Sequence, residues 1–179
     1  MAERYTQVVI LCEDYMHLNF VRRYLVGCGI ESRRIRGEVS PSGRGSGAQY
    51  VIENYPVEVK ALRSRPHVRA GLLVVVDADT FPVEERFRQL ERSLGQPGRG
   101  DAERIGLLAP KRNIETWIFY LLGNTVNEED DYKKRVSPSG VKEAVAAFGN
   151  LCPRKAAEIA VPSLQRACKE FIAFLSRVS

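Results

Sequence analysis

Two stretches of the chain are apolar at nearly every position, yet each is far too short to cross a membrane. Residues 72–76 (LLVVV) are five large aliphatic residues in a row, and residues 7–12 (QVVILC) show the same pattern near the start of the chain. A short run without polar alternation is typical of a strand that is buried on both faces, as central strands of parallel sheets are. We therefore predict two such strands here.

Around these strands, apolar residues recur at helical spacing. This spacing predicts helices over about 15–26, 48–65, 82–94 and 114–122, with a polar edge strand within 30–39 and a short strand at 104–109. Pro56 marks a kink or a fresh helix start, while Thr80 as N-cap and Pro82 as first residue would begin the third helix. Alternating strands and helices predict an α/β fold.

The last third of the chain predicts helices without further strands. An acidic and then basic run at 127–135 indicates an exposed loop, and Ser137 or Ser139 would cap a helix through Val141 and Phe148. Residues 163–178 form an amphipathic pattern. We predict an α/β domain at 1–123 and a helical extension at 124–179 that packs on it.

Acidic residues follow both buried strands. Glu13 and Asp14 come directly after the first, and Asp77 and Asp79 after the later one. The carboxyl ends of parallel strands share one sheet edge, where such sheets bind ligands, and strand alternation would put Asp77 and Asp79 on the same side. Carboxylates held close together repel unless a cation or proton lies between them, and all-oxygen ligands favour Mg²⁺.

A D-x-D motif after a strand has an alternative interpretation. It also occurs as a turn in which one aspartate caps the following helix. The presence of Glu13 at the end of another strand favours the metal site over the turn.

A third polar cluster, PKRNIETW, begins at Pro110 and enters an apolar helix. In one interpretation Asn113 caps this helix, Glu115 favours its positive end, and the two cations are solvated. In the other, Glu115 adds a carboxylate to the same sheet edge, while Lys111 and Arg112 add positive charge. The sequence leaves both open.

Basic residues occur in two further places. The segment SPSGRGSG at 40–47 contains Arg44 and is either a surface connection or a phosphate-binding loop, although it lacks the Gly-Lys-Ser/Thr ending of a P-loop. A basic rim precedes the D-x-D strand, and the sequence does not tell which sheet edge it faces. The rim consists of Lys60, Arg63, Arg65 and Arg69.

Composition narrows the function classes. The chain has 27 basic and 22 acidic side chains, a net charge of +5 that is compatible with nucleic acid without requiring it. Four cysteines without a C-x-x-C pair and only two histidines argue against zinc; Cys12 and Cys28 are expected to be buried thiols. No signal peptide or membrane span is recognisable, so we expect a cytoplasmic location without membrane contact.

The acidic motifs resemble those of the Toprim domain, the metal-binding fold of topoisomerases, primases, small nucleases and overcoming-lysogenization-defect nucleases. The resemblance lies in CED at 12–14 and VVVDAD at 74–79 and covers roughly 7–123, although Asp14 stands where the family usually has glycine. It implies a Rossmann-like, mostly parallel four-stranded sheet flanked by helices. More narrowly, the chain resembles small stand-alone bacterial Toprim-like proteins, some of which are encoded beside ATPases in anti-phage systems.

The resemblance implies a Mg²⁺- or Mn²⁺-dependent nuclease that hydrolyses phosphodiester bonds of DNA or RNA, with a role in anti-phage defence. Glu13, Asp77 and Asp79 would hold one or two ions, and Asp14 and Glu115 would be further ligands. Glu13 would also act as general base, and Lys111, or else Arg112, would stabilise charge on the phosphorus. The nucleic-acid backbone would be contacted by Arg44, Lys60, Arg63, Arg65, Arg69 and Arg112.

Two other functions stay open at this point. In the first, the chain is a non-catalytic, regulatory subunit of an ATPase complex and docks through its polar 124–140 loop and its C-terminal helix. Alternatively it would be a small-molecule phosphatase, although phosphatases with a D-x-D motif carry it after the first strand, whereas here it follows a later one.

Overall fold

A four-stranded parallel sheet lies between two layers of helices in the computed structural model, which describes residues 6–43 and 45–179. Its strands are β1 (Gln7–Cys12), β2 (Ile35–Val39), β3 (Ala70–Val75) and β4 (Ile105–Leu108), in the order β2-β1-β3-β4. All three neighbouring pairs are parallel. The predicted α/β class with a four-stranded parallel sheet and a C-terminal helix is therefore confirmed.

Six α-helices accompany the sheet in the described ranges. They are α1 (Tyr15–Gly27), α2 (Gly47–Arg63), α3 (Val83–Leu94), α4 (Ile114–Leu121), α5 (Val141–Leu151) and α6 (Pro162–Val178). Helices α2 and α3 pack on one face of the sheet, and the other four pack on the opposite face. Within 6–43 and 45–179, no helix is both long and apolar enough to span a membrane.

The apolar character of β3 follows from burial on both faces. Leu73 and Val75 belong to the core shared with α1, α4, α5 and α6, whereas Leu72 and Val74 belong to the core beneath α2 and α3. All four are at most 1% exposed. Since neither face meets water, no position of the strand favours a polar side chain. The outer strand β2 is more exposed, as its polar sequence predicts.

The C-terminal helices complete one of the two cores. Phe171 of α6 lies against Tyr24 of α1 and Phe148 of α5, with ring centroids 4.6 and 5.9 Å apart. A disulfide between Cys152 and Cys168 joins the end of α5 to α6. The apolar face of α6 is thus occupied by its own domain, so it is not the free docking surface that a partner-binding role would use.

Several local predictions are wrong. Neither Thr80 nor any other side chain caps α3, whose N-cap residue is Pro82 itself. Helix α5 begins after Gly140 without a side-chain cap, because the hydroxyls of Ser137 and Ser139 bond to each other instead.

Two more residues correct the sequence-based picture. Helix α2 runs through Pro56 as one element, so this proline does not start a new helix. Cys28 is exposed because it follows the last turn of α1, whereas Cys12 in β1 is buried as predicted.

Candidate functional site

Glu13 and Asp77 meet at the carboxyl ends of the two central strands. The register pairs Cys12 of β1 with Val75 of β3, which brings the residues that follow them together. The backbone N–H of Asp77 donates to Oε1 of Glu13 at 2.6 Å. The predicted convergence of the two strand ends is therefore present in the fold.

A buried histidine completes this pair. Asp14 is the N-cap of α1, and its carboxylate accepts a hydrogen bond from the backbone N–H of His17 at 3.0 Å. The first turn of the helix thereby places Nε2 of His17 2.8 Å from Oδ1 of Asp77, with both side chains buried. Burial lowers the pKa of His17, but the charges of Asp77, Asp14 and Glu13 outweigh it and raise this pKa to about 9. This raised pKa favours the cationic form of His17 at neutral pH.

Asp79 points away from Asp77, so the prediction that they share a side is wrong. Its φ of 53° is left-handed, and this conformation breaks strand alternation after Asp77. Arg86 of α3 binds both aspartates. Its Nη2 lies 3.0 Å from Oδ2 of Asp79, and its Nε donates to the carbonyl of Asp77 at 2.8 Å. Because no side chain caps α3, the cap version of the D-x-D turn is also wrong.

The start of α4 lies at the same sheet edge. Glu115 is 7% exposed, and its Oε2 has no hydrogen-bond partner in the part of the chain that the structure describes. Burial raises the pKa of Glu115, with the charges of Asp77 and Asp14 adding to it. Nζ of Lys111 lies 3.5 Å from the carbonyl oxygen of Asp79. The acidic and basic residues of PKRNIETW therefore do reach the carboxylate edge.

The capping interpretation of Asn113 is only half correct. Asn113 is the N-cap residue of α4 by position, but its side chain makes no cap hydrogen bond. Instead its Nδ2 donates to Asp131 at 2.9 Å. Arg112 forms a backbone bridge to Asp79, and its guanidinium lies 3.8 Å from Asp131. Most of the 127–135 run is exposed, as predicted, while Asp131 and the buried Tyr132 hold it against this edge.

The site combines its acidic side chains with the cations of His17, Arg86 and Lys133. Burial, followed by the charge of Asp77, raises the pKa of Glu13 to about 7. Burial also raises the pKa of Asp77, while the cation of His17 opposes this change. Lys133 compensates in part: burial lowers its pKa, but Asp77 and Glu115 outweigh that effect and raise it. The raised pKa values of these carboxyl groups mean that proton binding competes with cation binding at the cluster.

The donor atoms fit a divalent cation in kind, because all are carboxylate oxygens. One oxygen each of Glu13, Asp77 and Asp79 is bonded as described above, and the second oxygen accepts no hydrogen bond from any residue that the structure describes. Over the described ranges, no three His, Cys, Asp or Glu side chains lie close enough together to hold a metal ion. This agrees with the turn of Asp79 towards Arg86. Asp14 is used as the cap of α1, with its side chain 47% exposed.

The basic rim lies at the opposite edge of the sheet. Arg69 binds Gln7 through its backbone at the start of β1, and Arg63 pairs with Glu103 just before β4. Six residues of β1 separate this edge from Glu13, a distance of roughly 20 Å. The rim, which was predicted to contact the nucleic-acid backbone, therefore does not reach a phosphate held by the carboxylates. Its members are Lys60, Arg63, Arg65 and Arg69. Arg44 lies outside the described residues.

Sequence reasoning missed three members of the site, which are His17, Arg86 and Lys133. His17 follows Glu13 by four residues, so its place in the first turn of a helix after an acidic strand end was a usable signal. Arg86 and Lys133 reach the site from α3 and from a distant 3₁₀ turn. Neither carried a local signal, because their positions depend on how those elements pack.

Gly47 leaves room for Glu13, and this predicts an effect of its replacement. A Cβ at Gly47 would lie 2.9 Å from Cβ of Glu13, so Gly47→Ala must displace the glutamate or the start of α2. Small misplacements of a catalytic group cost up to about 100-fold, so we expect about 10- to 100-fold lower metal-dependent activity. The melting temperature should fall as well, because Cβ of Glu13 cannot move without its backbone, so activity is compared well below the melting temperature of the variant.

The matched control for this variant is Gly149→Ala, a helical glycine whose added Cβ meets nothing within 4 Å. Equal activity of the Gly47→Ala variant and the parent would show that the packing of this glycine against Glu13 has no role in the site.

No protein-family model, no curated protein and no solved structure matches this chain.

Proposed function

We propose that this protein is a Toprim-like, Mg²⁺-dependent nuclease that hydrolyses phosphodiester bonds. The observation that carries the proposal is the meeting of Glu13 and Asp77 at the ends of adjacent parallel strands, with Asp79 and Glu115 beside them. Asp77 and Glu115 are buried, and buried carboxylates are costly unless a cation or a proton accompanies them. Two aspartates after a later strand and a glutamate after the first match the arrangement that the Toprim resemblance implies.

The ion would be held by Glu13 and Asp77 through the oxygens that accept no hydrogen bond, with Glu115 close enough to add charge. Asp79 would join them only on turning from Arg86 towards the ion. When bound, Mg²⁺ supplies charge stabilisation for the phosphate oxygens and an acidic water. Asp14 has a structural task as the cap of α1, which makes it the weakest of the five predicted ligands.

The surrounding residues keep these carboxylates in position. His17 holds one oxygen of Asp77, so the other oxygen keeps its direction towards the site. Arg86 holds the backbone of Asp77 and the side chain of Asp79 at once. Such fixed orientation matters because catalytic groups act only within narrow limits of position.

Proton transfer and charge stabilisation fall to Glu13 and Lys111. The pKa of Glu13 is about 7 in the metal-free site. Since only one of its oxygens is free, Glu13 would act either as a ligand of the ion or as the base that takes a proton from the attacking water. Lys111 has a side chain only 13% exposed and lies beside Asp79, where its cation would face a phosphate at the site. Arg112 lies at the same edge and would contact the nucleic-acid backbone.

The direct experiment is incubation of the purified protein with plasmid DNA and with RNA, in Mg²⁺, in Mn²⁺ and in EDTA. Cleavage that requires the metal ion is expected with at least one of the two nucleic acids. If neither is cut and the protein instead releases phosphate from small phosphate esters, the phosphatase alternative replaces the nuclease proposal. Inactivity on all of these substrates contradicts both.

The raised pKa of Glu13 predicts how metal binding depends on pH. The metal-free site holds a proton below about pH 7, and a cation must displace it. Affinity for Mg²⁺ should therefore rise about tenfold per pH unit below pH 7, where one proton is released for each ion bound, and level off above it. Titration calorimetry in two buffers of different ionisation enthalpy counts these protons.

Glu13→Gln serves as the comparison for this prediction, because glutamine keeps the shape and does not titrate. Its affinity should be weaker and its dependence on pH flatter than in the parent. An affinity for Mg²⁺ that stays constant from pH 5.5 to pH 7.5 in the parent would contradict the prediction.

A further inference from the structure

A groove between α2 and α3 opens beside Asp79, and apart from Asp79 and Arg86 its residues have no part in the chemistry described so far. Its volume is about 650 Å³, which falls within the range of about 300–1,000 Å³ found for ligand sites. The residues that carry the following argument line this groove: Gln49, Asp79, Phe81, Arg86, Gln89 and Arg92.

Phe81 is the unusual residue of this groove. It is 44% exposed, although a large aromatic side chain loses free energy when it faces water. The backbone holds the residue in place, because its N–H donates to the carbonyl of Ala78 in the turn of the D-x-D motif. The guanidinium carbon of Arg86 lies 5.2 Å from the ring centroid. An aromatic ring is thus exposed to solvent two residues after Asp79.

Positive charge and hydrogen-bonding groups surround this ring. Arg86 is buried and forms the floor, with Nη1 donating to Gln89 at 2.7 Å. Arg92 stands at the rim with a side chain 63% exposed, and its ion pair with Glu85 lies in solvent. An exposed ion pair of this kind is worth little, so Arg92 can turn to a phosphate at small cost.

We propose that this groove binds a segment of single-stranded nucleic acid, with a base stacked on Phe81 and a backbone phosphate contacted by Arg92. Bases of a duplex stack on each other, whereas an unpaired base offers its face to an aromatic ring. The groove opens onto Asp79, so a strand lying in it leads to the carboxylates. The inference rests on the proposed nuclease function, for which it names the form of the substrate.

The experiment measures binding apart from cleavage. Fluorescence anisotropy is recorded in EDTA at low salt, with a labelled oligonucleotide of about 12 nucleotides, in the range covered by single-strand sites, and with a duplex of the same sequence. The parent should bind the single strand more tightly than the duplex. Base stacking is worth about 1–3 kcal/mol, so Phe81→Ala should weaken single-strand binding by about 5- to 100-fold, and Phe81→Trp should restore it.

Arg92→Ala should weaken binding less and should lower its dependence on salt, because it removes one phosphate contact. Ile172→Ala is the matched control, since Ile172 is a similarly exposed apolar residue, at 42%, on α6 away from the groove. Tyr15→Ala tests the other exposed aromatic near the carboxylates, which is 74% exposed. This variant should bind like the parent.

Three results would overturn the inference. They are equal or tighter binding of the duplex, unchanged binding by Phe81→Ala, and a loss caused by Tyr15→Ala in place of Phe81→Ala. Any of them, together with intact metal-dependent cleavage, would leave the nuclease proposal standing. Single-strand binding that depends on Phe81, without any cleavage, would support the groove as a binding site and contradict the nuclease proposal.

Discussion

The Asp77→Asn variant should lose metal-dependent phosphodiester hydrolysis by about 10²–10³-fold, the loss seen when one preorganised electrostatic group is removed from an active site. Asparagine has nearly the same shape as aspartate, and its Oδ1 still accepts the hydrogen bond from Nε2 of His17. The fold should therefore persist while the negative charge at the centre of the site disappears. Activity on the better of the two nucleic acids, measured at saturating Mg²⁺, gives the fold-change.

Asp101→Asn is the control for Asp77→Asn, because Asp101 is an exposed aspartate in the turn before β4. It should retain full activity. Circular dichroism spectra and melting curves must be similar for both variants and the parent, so that a loss of activity reports the site and not unfolding. An Asp77→Asn variant with activity within threefold of the parent would rule out Asp77 as a metal ligand.

The Phe171→Ala variant should lose about 3–5 kcal/mol of unfolding free energy, the usual cost of emptying a buried aromatic site. Phe171 is completely buried, and its ring packs between Tyr24 of α1 and Phe148 of α5. It therefore connects the C-terminal helices to the helix that carries His17. Urea unfolding followed by circular dichroism and by the fluorescence of Trp117, the only tryptophan, measures the loss.

The neighbouring Ile172→Ala variant is the control for Phe171→Ala. Ile172 lies on the same helix but is 42% exposed, so its replacement should cost no more than about 0.5 kcal/mol. The two optical probes should give the same transition for the parent if residues 124–179 fold together with the sheet. Separate transitions, or a loss below 1 kcal/mol in Phe171→Ala, would contradict the role of this ring in joining the two parts.

The sequence predicts the structure best where a local pattern of residues is compatible with only one kind of element. The runs at 7–12 and 72–76 are uninterrupted because both faces of each strand are covered, and both lie in the centre of the sheet. The placement of Glu13 and Asp77 follows directly, since residues after adjacent parallel strands share one edge. The cluster that carries the proposed function was therefore predictable from the chain alone.

The details of the site depended on residues that are distant in the sequence. The left-handed backbone at Asp79 cannot be read from D-x-D, because it depends on the bridge to Arg112 and on the guanidinium of Arg86. In the same way, the polar 127–135 run has no local feature that predicts its return to the sheet edge. Asp131 and Lys133 acquire their roles from contacts with α4 and the carboxylates.

By itself, the sequence determined the α/β class, the two central strands and the sheet edge at which their acidic residues meet, because burial and strand direction act through local patterns. The tertiary structure alone decided which way each carboxylate points and which cations accompany it. It also decided that the basic rim lies at the far edge of the sheet, because α2 runs antiparallel to the strands and its last turn lies beside their starts. Charged groups interact through space, so the packing of the helices decides which cations lie beside the carboxylates.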